Sequence, residues 1–186
     1  MPKTVHCIRH GESTFNALYR ETGTDPLHFD ARLTPTGERQ VREAAQAVRD
    51  LPYELIVSSP LTRALQTTLG LFSDHRSADA IRIECLHRER LENSCDVGRA
   101  PPHLVAEFPH WAFDHLDEIW WHDDGERDPR GFVVEPMAVV EDRVRRFRSW
   151  LAARPETLIA VVGHGTFFHH LTGRQLHNCE IATLEL

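Results

Sequence analysis

The sequence has no hydrophobic run approaching the roughly 18–20 apolar residues needed to cross a membrane. Its first residues, Met-Pro-Lys-Thr-Val-His-Cys, also lack the basic region and the long apolar run of a secretory signal peptide. These absences argue against a membrane-embedded protein and against a secreted one. We therefore expect a soluble, cytoplasmic protein with no membrane partner.

An excess of positive charge is missing as well. The chain of 186 residues has 21 Lys and Arg against 28 Asp and Glu, which gives a formal net charge of -7. Proteins that bind DNA or RNA neutralise backbone phosphates with clustered basic side chains. We therefore expect no nucleic-acid partner.

Cysteine is scarce, and its spacing excludes familiar metal and redox motifs. Cys7, Cys85, Cys95 and Cys179 are far apart and form no CxxC pair, so reduced thiols are expected. The chain also lacks a Walker A loop, a G-x-G-x-x-G turn and a His-Glu-x-x-His pair. Adjacent side chains point apart on a helix or strand, so His169-His170 is not expected to clamp a metal ion.

Short apolar runs rich in β-branched residues occur at residues 4–8, 55–57 and 158–162. Continuous rather than alternating apolarity is typical of strands covered on both faces, so each run is predicted to be a central strand. Residues 81–86 are a weaker candidate, and residues 181–186 are predicted to form an edge strand.

Amphipathic helices are predicted between these strands. Apolar residues recur at helical spacing over residues 41–51, after the capping pair Thr34-Pro35, and again over residues 137–151. Further helices are predicted to begin near Pro60 and near Gly165. Strands and helices thus alternate along the chain, which predicts an α/β fold with a mostly parallel central sheet and helices on both faces.

The main exception to this alternation is residues 90–134, which contain prolines, aromatics and charges without a sustained period. This segment is predicted to be an irregular lid or insertion within a single domain, residues 1–186, because a chain of this length and 41% apolar composition fits one core. Its aromatic residues are expected mainly to hold the segment on the core. They are Phe108, Trp111, Phe113, Trp120 and Trp121.

Reactive side chains follow three of the predicted strands. In open α/β sheets the ligand site lies beyond the carboxyl ends of the strands, so these side chains are expected to meet at one edge of the sheet. The strands end in Arg9-His10-Gly11, in Ser58-Ser59-Pro60 with Arg63 one turn later, and in Gly163-His164-Gly165.

This set of side chains suits phosphoryl transfer. Arg9 and Arg63 can hold a phosphate dianion, because a guanidinium group is always charged and presents a planar fork of donors. A neutral imidazole with one ring nitrogen fixed as N–H can attack phosphorus with the other, and His10 is placed to do so. His164, at a predicted helix start, would donate to the transferring group.

Three further residues complete the predicted site. Asn16 and Gly165 are candidates for binding the substrate phosphate, the first as a donor and the second by allowing close backbone approach. Ester hydrolysis also needs a proton for the leaving oxygen, and Glu89 is the candidate general acid. Glu92 lies close enough in sequence to be an alternative to it.

The motifs resemble those of the histidine phosphatase (phosphoglycerate mutase-like) superfamily. The matching stretches are Arg9-His10-Gly11-Glu12-Ser13 with Asn16, the LTPTGERQ run from Leu33, the SSPLTRALQT run from Ser58, and Val161-Val162-Gly163-His164-Gly165. The resemblance implies a three-layer α/β/α fold, a phosphohistidine at His10, a pocket of Arg9, Arg63 and His164, and no metal or organic cofactor. Around Glu89 the sequence departs from the family pattern.

The expected activity is hydrolysis of a small phosphorylated substrate, and two alternatives stay open. A mutase acting on a doubly phosphorylated glycerate would need extra cations, whereas residues 101–130 contain eight Asp and Glu against only Arg127 and Arg130. Arg90 and Arg99 remain candidates to face the site, so the mutase alternative is disfavoured and not removed. A phosphate-binding module without activity is disfavoured, because both histidines and both arginines are present. The sequence predicts neither the substrate identity nor the oligomeric state.

Overall fold

Five strands form one sheet: β1 (Thr4–Arg9), β2 (Leu55–Ser58), β3 (Ile81–Ile83), β4 (Leu158–Gly163) and β5 (Ile181–Glu185). Their order across the sheet is β3-β2-β4-β1-β5; the first four strands are parallel, and β5 runs antiparallel to β1. The computed structural model describes residues 2–186. The three predicted central strands and the edge strand are confirmed.

The predicted strand at residues 81–86 is shorter than expected and ends at Ile83. The chain turns directly after it, because the Glu84 carboxylate accepts a hydrogen bond from the Leu86 amide at 2.9 Å.

Within the described residues, six α-helices accompany the sheet: α1 (Thr14–Thr22), α2 (Pro35–Val48), α3 (Thr62–Phe72), α4 (Pro101–Glu107), α5 (Met137–Ala153) and α6 (Gly165–Thr172). The four predicted helices correspond to α2, α3, α5 and α6. The sequence interpretation missed α1, which buries only Phe15 and so has little apolar periodicity. Its start is fixed by a capping box between Ser13 and Asn16.

The helices cover both faces of the sheet. On one face, Phe147 of α5 and Phe167 of α6 pack with Val161 and other buried strand residues. On the opposite face, Val41 of α2 and Phe72 of α3 pack with strand residues that include Ile8, Ile56 and Val162. This arrangement confirms the predicted three-layer α/β/α sandwich, and it explains why the central strands are apolar throughout.

Helix α2 begins in direct contact with the loop that follows β1. A Cβ atom added to Gly37 would overlap the carbonyl oxygen of Glu12, and one added to Gly11 would lie 2.8 Å from the Gly37 carbonyl oxygen. The Thr34 side chain caps the helix by accepting from the Gly37 amide at 3.0 Å. Glycine at position 37 thus lets two backbone segments touch next to the end of β1.

Residues 90–134 are largely irregular but contain α4 and a short 3₁₀ turn, Ser94–Asp96. The segment has its own apolar cluster, in which Phe108, Phe113 and Trp120 are buried together with residues of α3 and β3. The prediction that these aromatics hold the segment on the core therefore agrees with the structure. Within residues 2–186, none of the helices is both long and apolar enough to span a membrane.

Candidate active site

His10 follows β1 directly and is 3% exposed. Its Nδ1 lies 2.7 Å from the carbonyl oxygen of Gly11, which can only accept, so Nδ1 carries the proton. Nε2 accepts a hydrogen bond from Arg63 Nε at 3.2 Å and therefore has a lone pair. Burial, followed by the charges of Arg63 and Arg9, holds the pKa of His10 well below its ordinary value. The ring is neutral at physiological pH, and in this structure the lone pair of Nε2 is bound by Arg63.

Arg63 lies in the first turn of α3 and is buried. Besides the contact with His10, its Nη1 donates to the carbonyl oxygen of Cys95 at 2.5 Å, and its Nη2 donates to Asp96 Oδ1 at 2.8 Å. Asp96 was not among the predicted site residues. No motif or periodicity identifies it in the sequence. Only the structure shows that the 3₁₀ turn places its carboxylate against Arg63.

His164 follows β4 and is fully buried, with its ring centroid 5.3 Å from that of His10. Its Nε2 lies 2.7 Å from Ser59 Oγ, and that hydroxyl also accepts from the Leu61 amide at 3.5 Å. In the tautomer in which Nε2 accepts the Ser59 proton, the N–H group of His164 lies at Nδ1. This Nδ1 is buried and has no hydrogen-bond partner in the structure, so it can donate to an anion.

Arg9 is the last residue of β1. Its Nη1 donates to the Leu176 carbonyl oxygen at 2.6 Å, while its buried Nε has no partner in the structure. Gly165 permits this placement, because a Cβ atom there would lie 3.3 Å from Nε. The guanidinium group is thus fixed on one side and retains donors for a ligand.

Glu89 places its carboxylate at the start of α6. Its oxygens accept from the amides of Thr166 and Phe167, each at 3.0 Å, and of Arg90 at 2.9 Å. Glu92, the alternative acid, instead pairs with Arg90 at 2.9 Å and leaves 51% of its side chain exposed. Glu89 is therefore the more firmly held of the two carboxylates.

Asn16 is held by the capping box of α1, in which its Oδ1 accepts from the Ser13 amide at 3.1 Å. Asn178, which was also absent from the predicted site, donates from Nδ2 to the His10 carbonyl oxygen at 2.9 Å and to Asn16 Oδ1 at 3.4 Å. Because these contacts use Oδ1 of Asn16, its amide NH₂ group can face a ligand.

These side chains surround one small cavity of about 90 Å³ at the carboxyl edge of the sheet. Five predicted residues and the alternative acid Glu92 line it, and His164 lies against His10 behind it; the five are Arg9, His10, Asn16, Arg63 and Glu89. Gly165 lines a larger neighbouring cavity of about 400 Å³ that shares Arg9 and Glu89 with the first.

The aromatic side chain that lines the small cavity is Phe15 of α1. Trp111 and Trp121 of the 90–134 segment pack against that segment's apolar cluster instead. Within residues 2–186, no group of three or more His, Cys, Asp and Glu side chains is arranged to hold a metal ion. The cavity therefore offers charge and hydrogen bonds rather than a broad apolar wall.

Comparison with known proteins places this geometry in a family. The profile of the histidine phosphatase superfamily (branch 1) matches residues 5–185. The chain is 42% identical to "Uncharacterized phosphatase PhoE" of Bacillus subtilis over 90% of this chain and 74% of that protein. It is 27% identical to "Phosphoglycerate mutase-like protein" of Arabidopsis thaliana over 91% of this chain and 73% of that protein.

The fold is shared with solved structures as well. The mycobacterial glucosyl-3-phosphoglycerate phosphatase matches with a TM-score of 0.62 at 20% identity, covering 100% of this chain and 91% of that one. The predicted fold and the predicted family are both confirmed. The chain belongs to the histidine phosphatase superfamily, branch 1.

Proposed function

We propose that this protein hydrolyses small phosphomonoesters through a covalent phosphoryl intermediate on Nε2 of His10. The observation that carries the proposal is the state of His10: a buried, neutral ring whose Nδ1 proton is fixed by the Gly11 carbonyl group. Such a ring is a competent nucleophile without prior deprotonation. Membership of the histidine phosphatase superfamily supports the same conclusion.

In the first step the substrate phosphate lies between Arg9, Arg63 and the Nδ1–H of His164. Nε2 of His10 attacks phosphorus in line, the bond from phosphorus to the leaving oxygen breaks, and the arginines balance the charge on the phosphoryl oxygens. Glu89, which binds a proton when the phosphate dianion lies beside it, gives this proton to the leaving oxygen, so the product departs as an alcohol.

In the second step water enters on the side from which the alcohol left. The Glu89 carboxylate accepts one proton of this water while the water oxygen attacks phosphorus. The bond from phosphorus to Nε2 of His10 then breaks. Inorganic phosphate is released, and His10 returns to its neutral form with Nδ1 still bonded to Gly11. Asn16 and the backbone at Gly165 complete the phosphate pocket in this proposal.

Hydrolysis is favoured over a mutase reaction by the pairing of the arginines in residues 90–134. Each of these arginines forms a salt bridge with a carboxylate; the pairs are Arg90 with Glu92, Arg99 with Asp30 and Glu107, Arg127 with Asp123, and Arg130 with Asp25 and Asp128. A second phosphate group would have to compete with these carboxylates. The site therefore suits substrates with a single phosphate.

The substrate class follows from the same site. A phosphate pocket of about 90 Å³ beside a polar cavity of about 400 Å³ suits a small phosphorylated alcohol. One structural neighbour is named glucosyl-3-phosphoglycerate phosphatase, and the compound in that name is a phosphorylated alcohol. We place the activity in the cytoplasm, since the four cysteines are free thiols, which are typical of reducing compartments.

The test is phosphate release from sugar, glycerate, nucleotide and aryl phosphates in buffer containing a metal chelator. We expect wild-type enzyme to release phosphate and His10→Ala to lose at least about 10⁴-fold in rate. His170→Ala removes an exposed histidine of α6 and should leave the rate unchanged. Release that persists in His10→Ala, or that requires added metal, would overturn the proposal.

A further inference from the structure

We propose that Asp96 is a positioning residue of the phosphatase site, which holds the Arg63 guanidinium group so that its Nε faces Nε2 of His10. This inference rests on the proposed function, because it assigns Asp96 a part in presenting the nucleophile. Asp96 lines the same small cavity as His10 and Arg63 and is 4% exposed. None of the motifs shared with the family includes it.

The geometry fixes the orientation of Arg63 from one side. Asp96 Oδ1 accepts from Nη2 at 2.8 Å, and the neighbouring Cys95 carbonyl oxygen accepts from Nη1 at 2.5 Å. The two acceptors belong to consecutive residues and bind the two terminal nitrogens of one planar group. With that edge occupied, Nε is left to donate to His10 Nε2 at 3.2 Å.

Asp96 is itself held firmly. Its Oδ2 accepts from the backbone amides of Asn93 at 3.0 Å and Glu92 at 3.3 Å, which closes the 3₁₀ turn around the carboxylate. From outside the site, Asp25 accepts from the Ser94 amide at 2.8 Å and from the Ser94 hydroxyl at 2.5 Å. A carboxylate bound in this way can impose its position on Arg63.

The charges explain why a carboxylate rather than a neutral group is needed here. Arg63 is 2% exposed, and a buried guanidinium group without a counter-charge pays a large desolvation cost. Asp96 supplies that charge in a salt bridge whose two side chains are 3% and 4% exposed. The pair therefore keeps Arg63 buried and oriented before the substrate phosphate arrives.

Changing the pH gives a second way to observe the salt bridge between Asp96 and Arg63. Burial raises the pKa of Asp96 to about 6, and the charge of Glu89 acts in the same direction. The charge of Arg63 and the hydrogen bonds from the amides of Asn93 and Glu92 lower it. The Cys95 thiol, 3.5 Å from Oδ1, is the other titratable group in contact. Protonation of Asp96 below about pH 6 removes the charge that orients Arg63.

The experiment compares Asp96→Asn with Asp123→Asn, which removes a carboxylate of the same segment that pairs with Arg127 and contacts neither Arg63 nor the 3₁₀ turn. In protein labelled with ¹⁵N at histidine, the His10 Nε2 resonance should shift in Asp96→Asn and stay at its wild-type position in Asp123→Asn. Asp96→Asn should also lower kcat by about 10- to 100-fold without raising KM, because a misdirected arginine slows transfer while loss of a negative charge favours phosphate binding.

The pH profile adds a readout that a loss of folded protein would not produce. In wild type, kcat should fall as the pH drops through about 6, and Asp96→Asn should lack this acid limb. If Asp96→Asn does not fold, a pH titration of the wild-type protein tests the positioning role by itself. The His10 Nε2 resonance of wild type should then shift near pH 6, although His10 itself stays neutral.

Unchanged resonances and kcat in Asp96→Asn, or equal changes in both variants, would overturn the positioning role. A wild-type Nε2 resonance that stays fixed through pH 6 would overturn it as well. These resonances do not depend on turnover, so a wild-type protein that releases no phosphate would overturn only the proposed function.

Discussion

The strand ends and the 90–134 segment form opposite sides of one cavity, but they are held in different ways. The residues at the strand ends are held by backbone hydrogen bonds. The His10 amide donates to the Gly163 carbonyl oxygen at 3.0 Å, and the Ser59 amide donates to the Val162 carbonyl oxygen at 3.1 Å. These bonds extend the ladder of the sheet beyond its last regular residues. The backbone of His10 is therefore held by the sheet itself.

The 90–134 segment depends on side chains instead. Arg99 donates to Asp30 at 2.7 Å, Arg130 reaches Asp25 at 3.1 Å, and the Trp120 ring donates to the Arg99 carbonyl oxygen at 2.9 Å. Single substitutions can remove such ties, whereas they cannot remove a backbone ladder. We therefore expect substitutions at the strand ends to change activity, and substitutions around the segment to change stability first.

Substitution of Glu89 has the largest expected effect on activity. Glu89 lies where the strand ends and the 90–134 segment meet, so it tests the comparison between these two regions. Glu89→Gln should slow alkyl phosphate hydrolysis by about 10²- to 10⁴-fold, since an amide cannot protonate the leaving oxygen. Aryl phosphates with acidic leaving groups should lose much less. Steady-state rates on both substrate types measure the difference.

Glu92→Gln is the matched control for this test, because it removes a nearby carboxylate that is half exposed. It should leave both substrate types unaffected. A loss confined to alkyl phosphates in Glu92→Gln would assign the proton donor to Glu92 and not to Glu89.

Glu135 supports the next largest effect, on stability. This carboxylate is 0% exposed and accepts from Arg143 Nη2 at 2.7 Å and Arg88 Nη2 at 3.1 Å. Glu135→Ala leaves two buried charges unpaired, which should cost about 3–5 kcal/mol in the free energy of unfolding. Urea titration measures this cost. Glu135 lies directly after the 90–134 segment, and its amide donates to the Leu91 carbonyl oxygen at 2.8 Å. A change under about 1 kcal/mol would show that this junction does not depend on the two ion pairs.

Three buried histidines near the strand ends predict a pH dependence of stability. Burial lowers the pKa of His87 to about 3, and the pKa values of His10 and His164 are lowered in the same direction. Below pH 6.5 the unfolded chain binds protons that the folded chain does not, so stability falls by about 1.4 kcal/mol per pH unit for each histidine. Asp96, whose pKa is raised, opposes part of this fall below pH 6.

His87→Gln removes the contribution of one of these histidines to the pH dependence of stability. Glutamine keeps a donor for the Val162 carbonyl oxygen, which His87 Nε2 contacts at 3.0 Å, but it cannot titrate. Between pH 6.5 and pH 5 the slope of unfolding free energy against pH should decrease by about 1.4 kcal/mol per unit. An unchanged slope would mean that His87 does not stay neutral in the folded protein.

The smallest expected effect comes from the exposed side of the 90–134 segment. Asp123 pairs with Arg127, and their side chains are 27% and 55% exposed. Solvent screens such a pair, so Asp123→Asn should change the free energy of unfolding by no more than about 1 kcal/mol. Compared with Glu135→Ala in the same urea titration, this variant shows whether the buried charges next to the segment contribute more to stability than the exposed charges within it. Equal effects would contradict the distinction.

The strand-end side of the site could be predicted from sequence because two general rules suffice there. Apolar runs identify central strands, and parallel strands present their carboxyl ends at one edge. Arg9, His10 and His164 follow such runs directly, so their meeting requires no knowledge of the loops. The structure brings these three residues together at that edge, with Arg63 beside them.

The other side of the site could not be predicted in this way. Asp96 meets Arg63 across 33 positions of sequence, and Arg130 meets Asp25 across 105. Neither pair has a periodic pattern or a fixed spacing, because side-chain contacts in irregular segments depend on how the whole segment folds back. Helix α1 was missed for a related reason: its single buried residue, Phe15, gives no helical repeat.

The contact between Gly37 and Glu12 has a consequence for how this sequence can diverge. Position 37 does not line the small cavity, yet a single methyl group there would push α2 and the loop after His10 apart. A mutational library at this position should therefore lose activity in most variants. A position that contributes no atom to the cavity thus limits which sequences can keep the loop after His10 in place.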